Sequence, residues 1–212
     1  MTAQIDVAAR LKAMRGVQRT PTPRLDLFRL RGFLSPVECA ALIGMIEAER
    51  RPSTIADDAD ADNAYRTSET CDFDESDPLI VQVNERLAEL LQIDPALGEP
   101  LQGQRYDVGQ EFKQHTDYFE PGGDAMRELR AEVGQRTWTA MCYLNEPEAG
   151  GATRFKVIRK SVQPETGALL TWNNRRPDSS VNPATMHIGM KVRKGLKYVI
   201  TKWYAERPWP RQ

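Results

Sequence analysis

Two textures divide the chain near residue 100. Before it, apolar residues recur at three- and four-residue intervals, the signature of helices with one buried face. Ile5, Val7, Ala8, Leu11 and Met14 follow that spacing within residues 2–15 and predict a short amphipathic helix, which Thr20-Pro-Thr-Pro23 breaks. Residues 24–30 read as a strand. Ser35-Pro36 sets a capping hydroxyl before a proline, so a helix is predicted from Pro36 to about Arg50, burying Cys39, Leu42, Ile43 and Ile46. Residues 56–62 are small and acidic and read as a solvated loop. A further helix follows Ser76-Asp77-Pro78 through Ile80, Val83, Leu87 and Leu91, and stops before Asp94-Pro95.

After Pro100, short apolar or alternating runs take over, at 101–108, 111–118, 138–144, 153–157, 168–172, 185–192 and 196–205. Their dividers are turn sequences: Pro121-Gly-Gly123, Glu148-Ala-Gly-Gly151, Glu165-Thr-Gly167 and Arg193-Lys-Gly195. About seven short strands with such turns predict an antiparallel sandwich or barrel. Helices first and strands after give an α+β layout, with residues 1–100 packing on one sheet of a core at 101–208 within the same domain.

Composition narrows the classes. With 212 residues and 40% apolar, the chain can bury one core, which excludes global disorder. Lys and Arg number 29 against 30 Asp and Glu, net −1, which argues against a protein built to hold nucleic acid. No run approaches the roughly 18 apolar residues of a membrane span. The start, Met1 to Arg10, has no basic segment leading into an apolar one, so a cytoplasmic location is expected. Cys39, Cys71 and Cys142 are too widely spaced for a zinc site or a disulfide framework and read as reduced core thiols. The oligomeric state is open.

Chemistry is concentrated in few residues. The chain has two histidines, His115 and His187. His115-Thr-Asp117 lies in an extended run, where residues two apart share a face, so an imidazole and a carboxylate converge. With His187 they complete the two-histidine, one-carboxylate set of non-haem Fe(II) oxygenases. Alone, a His-x-Asp triplet reads first as a strand histidine hydrogen-bonded to a neighbour. If Arg193-Lys-Gly195 is a hairpin turn, His187 lies opposite Thr201, and Lys197 shares that face about 13 Å further along. A five-carbon diacid would fill that gap. Taken singly, Lys197 reads instead as an edge lysine that discourages sheet pairing. Asp58, Asp60, Asp62 and Glu69 match calcium-loop spacing, but Asn63 stands where glycine is required.

These residues, taken together, resemble the prolyl 4-hydroxylase family of Fe(II)/2-oxoglutarate dioxygenases. Tyr106-Asp-Val-Gly-Gln-Glu-Phe-Lys-Gln-His115, Glu148-Ala-Gly-Gly-Ala-Thr-Arg-Phe155, Gly167-Ala-Leu-Leu-Thr-Trp172, the approach from Asp178 to His187, and Lys197 ten residues later are similar to that family's segments. Phe33 to Cys39 and Arg66-Thr-Ser68 are weaker echoes, and Tyr198 stands where the family often has tryptophan. The resemblance implies a double-stranded β-helix (jelly-roll) barrel. It assigns His115, Asp117 and His187 to iron, and Lys197, Tyr106 and Thr139 to 2-oxoglutarate. Arg136, Trp203 and Arg66 fall where members contact substrate. It further implies O2 as co-reactant, ascorbate as a supporting reductant, and a prolyl residue in a peptide or protein as substrate. A free amino acid or small metabolite is the alternative, and a non-catalytic binding barrel a more distant one. Related halogenases replace the aspartate with a small residue, so Asp117 points to hydroxylation. The segment 56–73 is expected to be a mobile lid that orders over the site with a peptide, its acidic run favouring basic flanking residues.

Overall fold

A computed structural model describes residues 6–53, 66–120 and 124–210. The helical half begins with α1 (Val7–Ala13), β1 (Val17–Arg19), β2 (Leu27–Leu30), α2 (Pro36–Glu49), β3 (Arg51–Pro52), β4 (Glu69–Asp72) and α3 (Pro78–Leu91). Ser35 caps α2 as expected: its hydroxyl accepts from the Glu38 amide while the Glu38 carboxylate accepts from the Ser35 amide, a reciprocal capping box. Asp77 does the same service for α3 by accepting from the Leu79 and Ile80 amides. The strand expected at 24–30 is confined to β2, and Ile43 packs at the edge of the core instead of inside it.

The second half comprises β5 (Gln102–Tyr106), β6 (Phe112–His115), α4 (Asp124–Val133), β7 (Arg136–Tyr143), β8 (Ala149–Gly150), β9 (Thr153–Phe155), β10 (Lys160–Val162), β11 (Leu169–Asn173), β12 (His187–Gly189), β13 (Val192–Lys194) and β14 (Lys197–Ala205). The strands form an eight-stranded sheet, β1-β2-β11-β7-β14-β5-β4-β3, facing a four-stranded sheet, β10-β9-β12-β6, with β13-β8 as a separate ribbon. Helix α4 is a difference from the sequence reading. Its residues are strong helix formers (Ala, Met, Arg, Glu, Leu) bounded by Gly123 and Gly134, and Met126, Leu129 and Val133 follow helical spacing, but the segment is short and mostly polar beside the apolar runs around it.

Period-two alternation sorts the large sheet's side chains into two cores. Trp138, Ala140 and Cys142 of β7, with Tyr198, Ile200 and Tyr204 of β14, face Cys39, Leu42, Ile46, Ile80, Val83 and Leu87 of α2 and α3. Met141, Tyr143, Leu170, Trp172 and Val199 face inward and meet Phe155 of the opposite sheet. Both faces are therefore covered, which explains why β7, β11 and β14 read as nearly continuous apolar runs. Gly103 of β5 lets α2 approach closely: a Cβ there would lie 2.6 Å from Ile46 Cγ1.

The expected hairpin at 193–195 is not formed. β12 pairs with β6 and β9, β13 pairs with β8, and β14 crosses to the large sheet, where Thr201 pairs with Gln102 and Met141. His187 and Lys197 thus sit on opposite walls of the barrel, not along one face of a ribbon.

Candidate active site

His115 ends β6, and His187 begins β12 directly opposite it. Asp117 lies two residues past the end of β6. One ligand atom from each of His115, Asp117 and His187 lies within 4.8 Å of the others. His115 Nδ1 is 2.7 Å from the Lys113 carbonyl and His187 Nδ1 is 2.9 Å from the Thr185 carbonyl. A carbonyl only accepts, so each Nδ1 carries the ring proton and each Nε2 is left as a bare lone pair for a metal. Burial, reinforced by His187, pushes the His115 pKa down to about 3, so the imidazole is neutral as a ligand requires. The Asp117 carboxyl is pushed up by burial, but the two imidazoles, the Thr139 hydroxyl and Arg136 outweigh this and hold it below the usual carboxylate range.

Ring packing fixes the imidazoles. Phe112 stacks on His115 at 3.5 Å between centroids, and Trp172 meets His187 edge-on at 5.1 Å. The donor set suits Fe(II): two imidazoles and one carboxylate with open positions. Nothing in sequence pattern alone marked Phe112 or Trp172 as supports of the metal ligands.

The same pocket is lined by Tyr106, Gln104, Arg66, Trp203 and Lys197. Lys197 is 2% exposed and pairs in register with Tyr106 of β5. Its ammonium sits 5.0 Å from the Tyr106 ring and 5.7 Å from the Tyr143 ring, with no carboxylate in ion-pair range among the described residues. Burial pushes its pKa down to about 8. A buried cation without a counter-ion is costly and marks a place where an anion arrives. Gly151 makes room for its stem: with φ +72°, it is backbone few side chains adopt, and a Cβ there would lie 3.2 Å from Lys197 Cδ. The Tyr106 phenol is pushed up by burial and remains a proton donor.

The other sequence candidates fall in different places. Thr139 does not line the pocket; it is fully buried and its hydroxyl donates to Asp117 Oδ2 at 2.7 Å. It touches a metal ligand where a cosubstrate contact was expected. Arg136 lines an outer groove, but its guanidinium is engaged by Glu99 at 2.5 and 2.7 Å and by the Asp117 carbonyl at 3.2 Å, between the Phe119 and Trp203 rings. Glu99, 6% exposed, lies in a connecting segment with no pattern to announce it. Arg66 stacks over Phe112 at 4.9 Å and reaches Ser68, Thr70 and Gln102. Of the expected lid, residues 56–65 lie outside the described residues, as do Asp58, Asp60 and Asp62 of the calcium-type spacing. Residues 69–72 are strand β4, paired to β5 along its length and no part of a mobile segment.

The inner pocket opens into a groove of about 1290 Å³ lined by Phe73, Pro95, Pro100, Tyr118, Phe119, Trp203 and Trp209, with Glu75, Glu99 and Lys202 among its polar residues.

Comparison with known proteins agrees with this geometry. The 2OG-Fe(II) oxygenase superfamily profile matches residues 101–205. Probable prolyl 4-hydroxylase 10 of Arabidopsis thaliana is 31% identical over 206 residues, covering 85% of this chain and 68% of that protein. Human prolyl 4-hydroxylase subunit alpha-1 is 29% identical over 188 residues, covering 85% of this chain and 34% of the subunit. Among solved structures, the viral collagen prolyl hydroxylase of Paramecium bursaria Chlorella virus 1, in its 2-oxoglutarate complex, superposes with a TM-score of 0.66 at 24% identity, covering 84% of this chain and 95% of that one. A Pseudomonas putida prolyl-4-hydroxylase gives 0.60 at 18% identity, with 94% and 99% covered. The barrel is the jelly roll of these oxygenases, and the chain belongs to the prolyl 4-hydroxylase-like family of Fe(II)- and 2-oxoglutarate-dependent dioxygenases.

Proposed function

We propose that this dioxygenase hydroxylates a prolyl residue within a peptide or protein. The observation that carries the reading is the groove: at about 1290 Å³ it far exceeds what a free amino acid would fill, and it opens directly onto His115 and Asp117. Its aromatic and proline-lined walls suit an extended chain. The relatives named above as prolyl 4-hydroxylases support the same substrate class. With iron bound, the site would activate O2 at the expense of 2-oxoglutarate, releasing succinate and CO2 and delivering one oxygen atom to substrate.

The chain's own residues do the binding. His115, Asp117 and His187 hold the metal, and Lys197 receives the distal carboxylate of 2-oxoglutarate while the Tyr106 phenol donates a hydrogen bond to the cosubstrate. Trp203, stacked with Arg136, lines both the inner pocket and the groove. The test is to incubate the Fe(II) enzyme with 2-oxoglutarate and either proline-containing peptides or free proline. Peptide-dependent succinate release with oxygen incorporated at proline is expected. Coupling to free proline, with none to any peptide, would overturn the proposal in favour of a small-metabolite hydroxylase.

A further inference from the structure

The geometry points to Thr139 as a positioning residue that fixes which oxygen of Asp117 is offered to the metal, with Asn174 locking the threonine in place. This rests on His115, Asp117 and His187 being the metal site. An ionised carboxylate only accepts hydrogen bonds. The 2.7 Å contact between Thr139 Oγ1 and Asp117 Oδ2 therefore commits the single hydroxyl proton of Thr139 to Oδ2. Asn174 Nδ2 donates to the same Oγ1 at 2.9 Å, occupying a lone pair and blocking rotation of the hydroxyl. The result is a relay of fixed direction, from Asn174 through Thr139 to Asp117. It leaves Oδ1 as the oxygen facing His115, 3.8 Å from its Nε2.

Each member is anchored independently of the metal. Thr139 sits in register with Trp172 in the β7–β11 ladder. Asn174, just past the end of β11 and fully buried, donates its backbone N–H to the Thr137 carbonyl at 2.7 Å, and its backbone carbonyl accepts from the Asn182 backbone N–H at 2.9 Å. The side-chain oxygen of Asn174 has no partner among the described residues. Packing alone gives no reason to bury an amide at that cost, since an apolar residue of similar size would avoid it. The function of the amide here is its N–H. With Oδ2 held by Thr139, Oδ1 is the oxygen that would be offered to a metal.

The experiment measures Co(II) affinity and the Co(II) visible spectrum without 2-oxoglutarate, so turnover is not needed, alongside thermal melting of each variant. Thr139→Val keeps shape and loses the donor; it is expected to weaken Co(II) about 10–100-fold and alter the spectrum. Thr139→Ser keeps the donor and is expected to restore wild-type affinity and spectrum. Asn174→Leu, which frees the hydroxyl to rotate, is expected to fall between the two. Thr139→Val binding Co(II) as wild type does, or Thr139→Ser as poorly as Thr139→Val, overturns the relay; Asn174→Leu at wild-type affinity overturns the part given to the amide. Wild-type protein indifferent to Co(II), or His187→Ala binding it equally well, overturns the metal site itself, a separate outcome.

Discussion

Replacing Lys197 with methionine should make the unliganded protein more stable while destroying its grip on 2-oxoglutarate. Burial lowers the lysine from 10.5 to about 8. At 1.36 kcal/mol per unit, keeping the ammonium charged at pH 7 costs the folded state about 3 kcal/mol. Methionine fills nearly the same space without charge. Part of the gain is offset by the lost contacts of the ammonium with the Tyr106 and Tyr143 rings, together about 1–2 kcal/mol. The net is about 1–2 kcal/mol, or a rise in Tm of roughly 3–6 °C for a chain of this size. Binding moves the other way. Removing one partner of a desolvated charge pair costs about 2–5 kcal/mol, so 2-oxoglutarate should bind roughly 30-fold to several thousand-fold more weakly. Thermal melting with and without 2-oxoglutarate, in the presence of Mn(II), reads both effects. A Lys197→Met protein that melts below wild type and is still stabilised by 2-oxoglutarate to the same degree would refute the reasoning.

Three further outcomes are expected. His187→Ala should abolish 2-oxoglutarate decarboxylation, because no other imidazole exists to replace it once His115 is engaged; succinate formation checks this. Affinity for 2-oxoglutarate should be flat below about pH 7.5 and fall as pH rises through about 8, since the ammonium that receives the carboxylate is then lost; over the same rise, unliganded stability should increase between about pH 8 and 10.5, because the unfolded lysine still holds its proton there, and calorimetric titration with melts across that range reads both. Glu99→Gln should destabilise the fold by about 3 kcal/mol by removing the buried carboxylate that engages Arg136 through two of its nitrogens, and should raise KM for the groove's substrate more than it weakens 2-oxoglutarate; urea unfolding and paired KM measurements test it.

The sequence by itself determined the parts whose physics is local. Ser35-Pro36 and Asp77-Pro78 started helices because capping needs only neighbours three residues away. The short apolar and alternating runs after Pro100 announced strands, and the two histidines, being the only ones, picked out the candidate metal site by scarcity and by likeness to a family. Tertiary structure decided what depends on which strands meet. The turn at 193–195 has hairpin composition, yet β12 joins one sheet and β14 the other. A turn sequence specifies a reversal of direction, while sheet membership is set by which apolar faces can be buried together. Lys197 reached the pocket by facing His187 across the barrel, where a ribbon face had been expected. Thr139 lies behind the pocket wall as a brace for Asp117, and Arg136, while lining the groove, is also the partner of Glu99, because hydrogen bonds spanning 22 and 37 residues leave no periodicity in the chain.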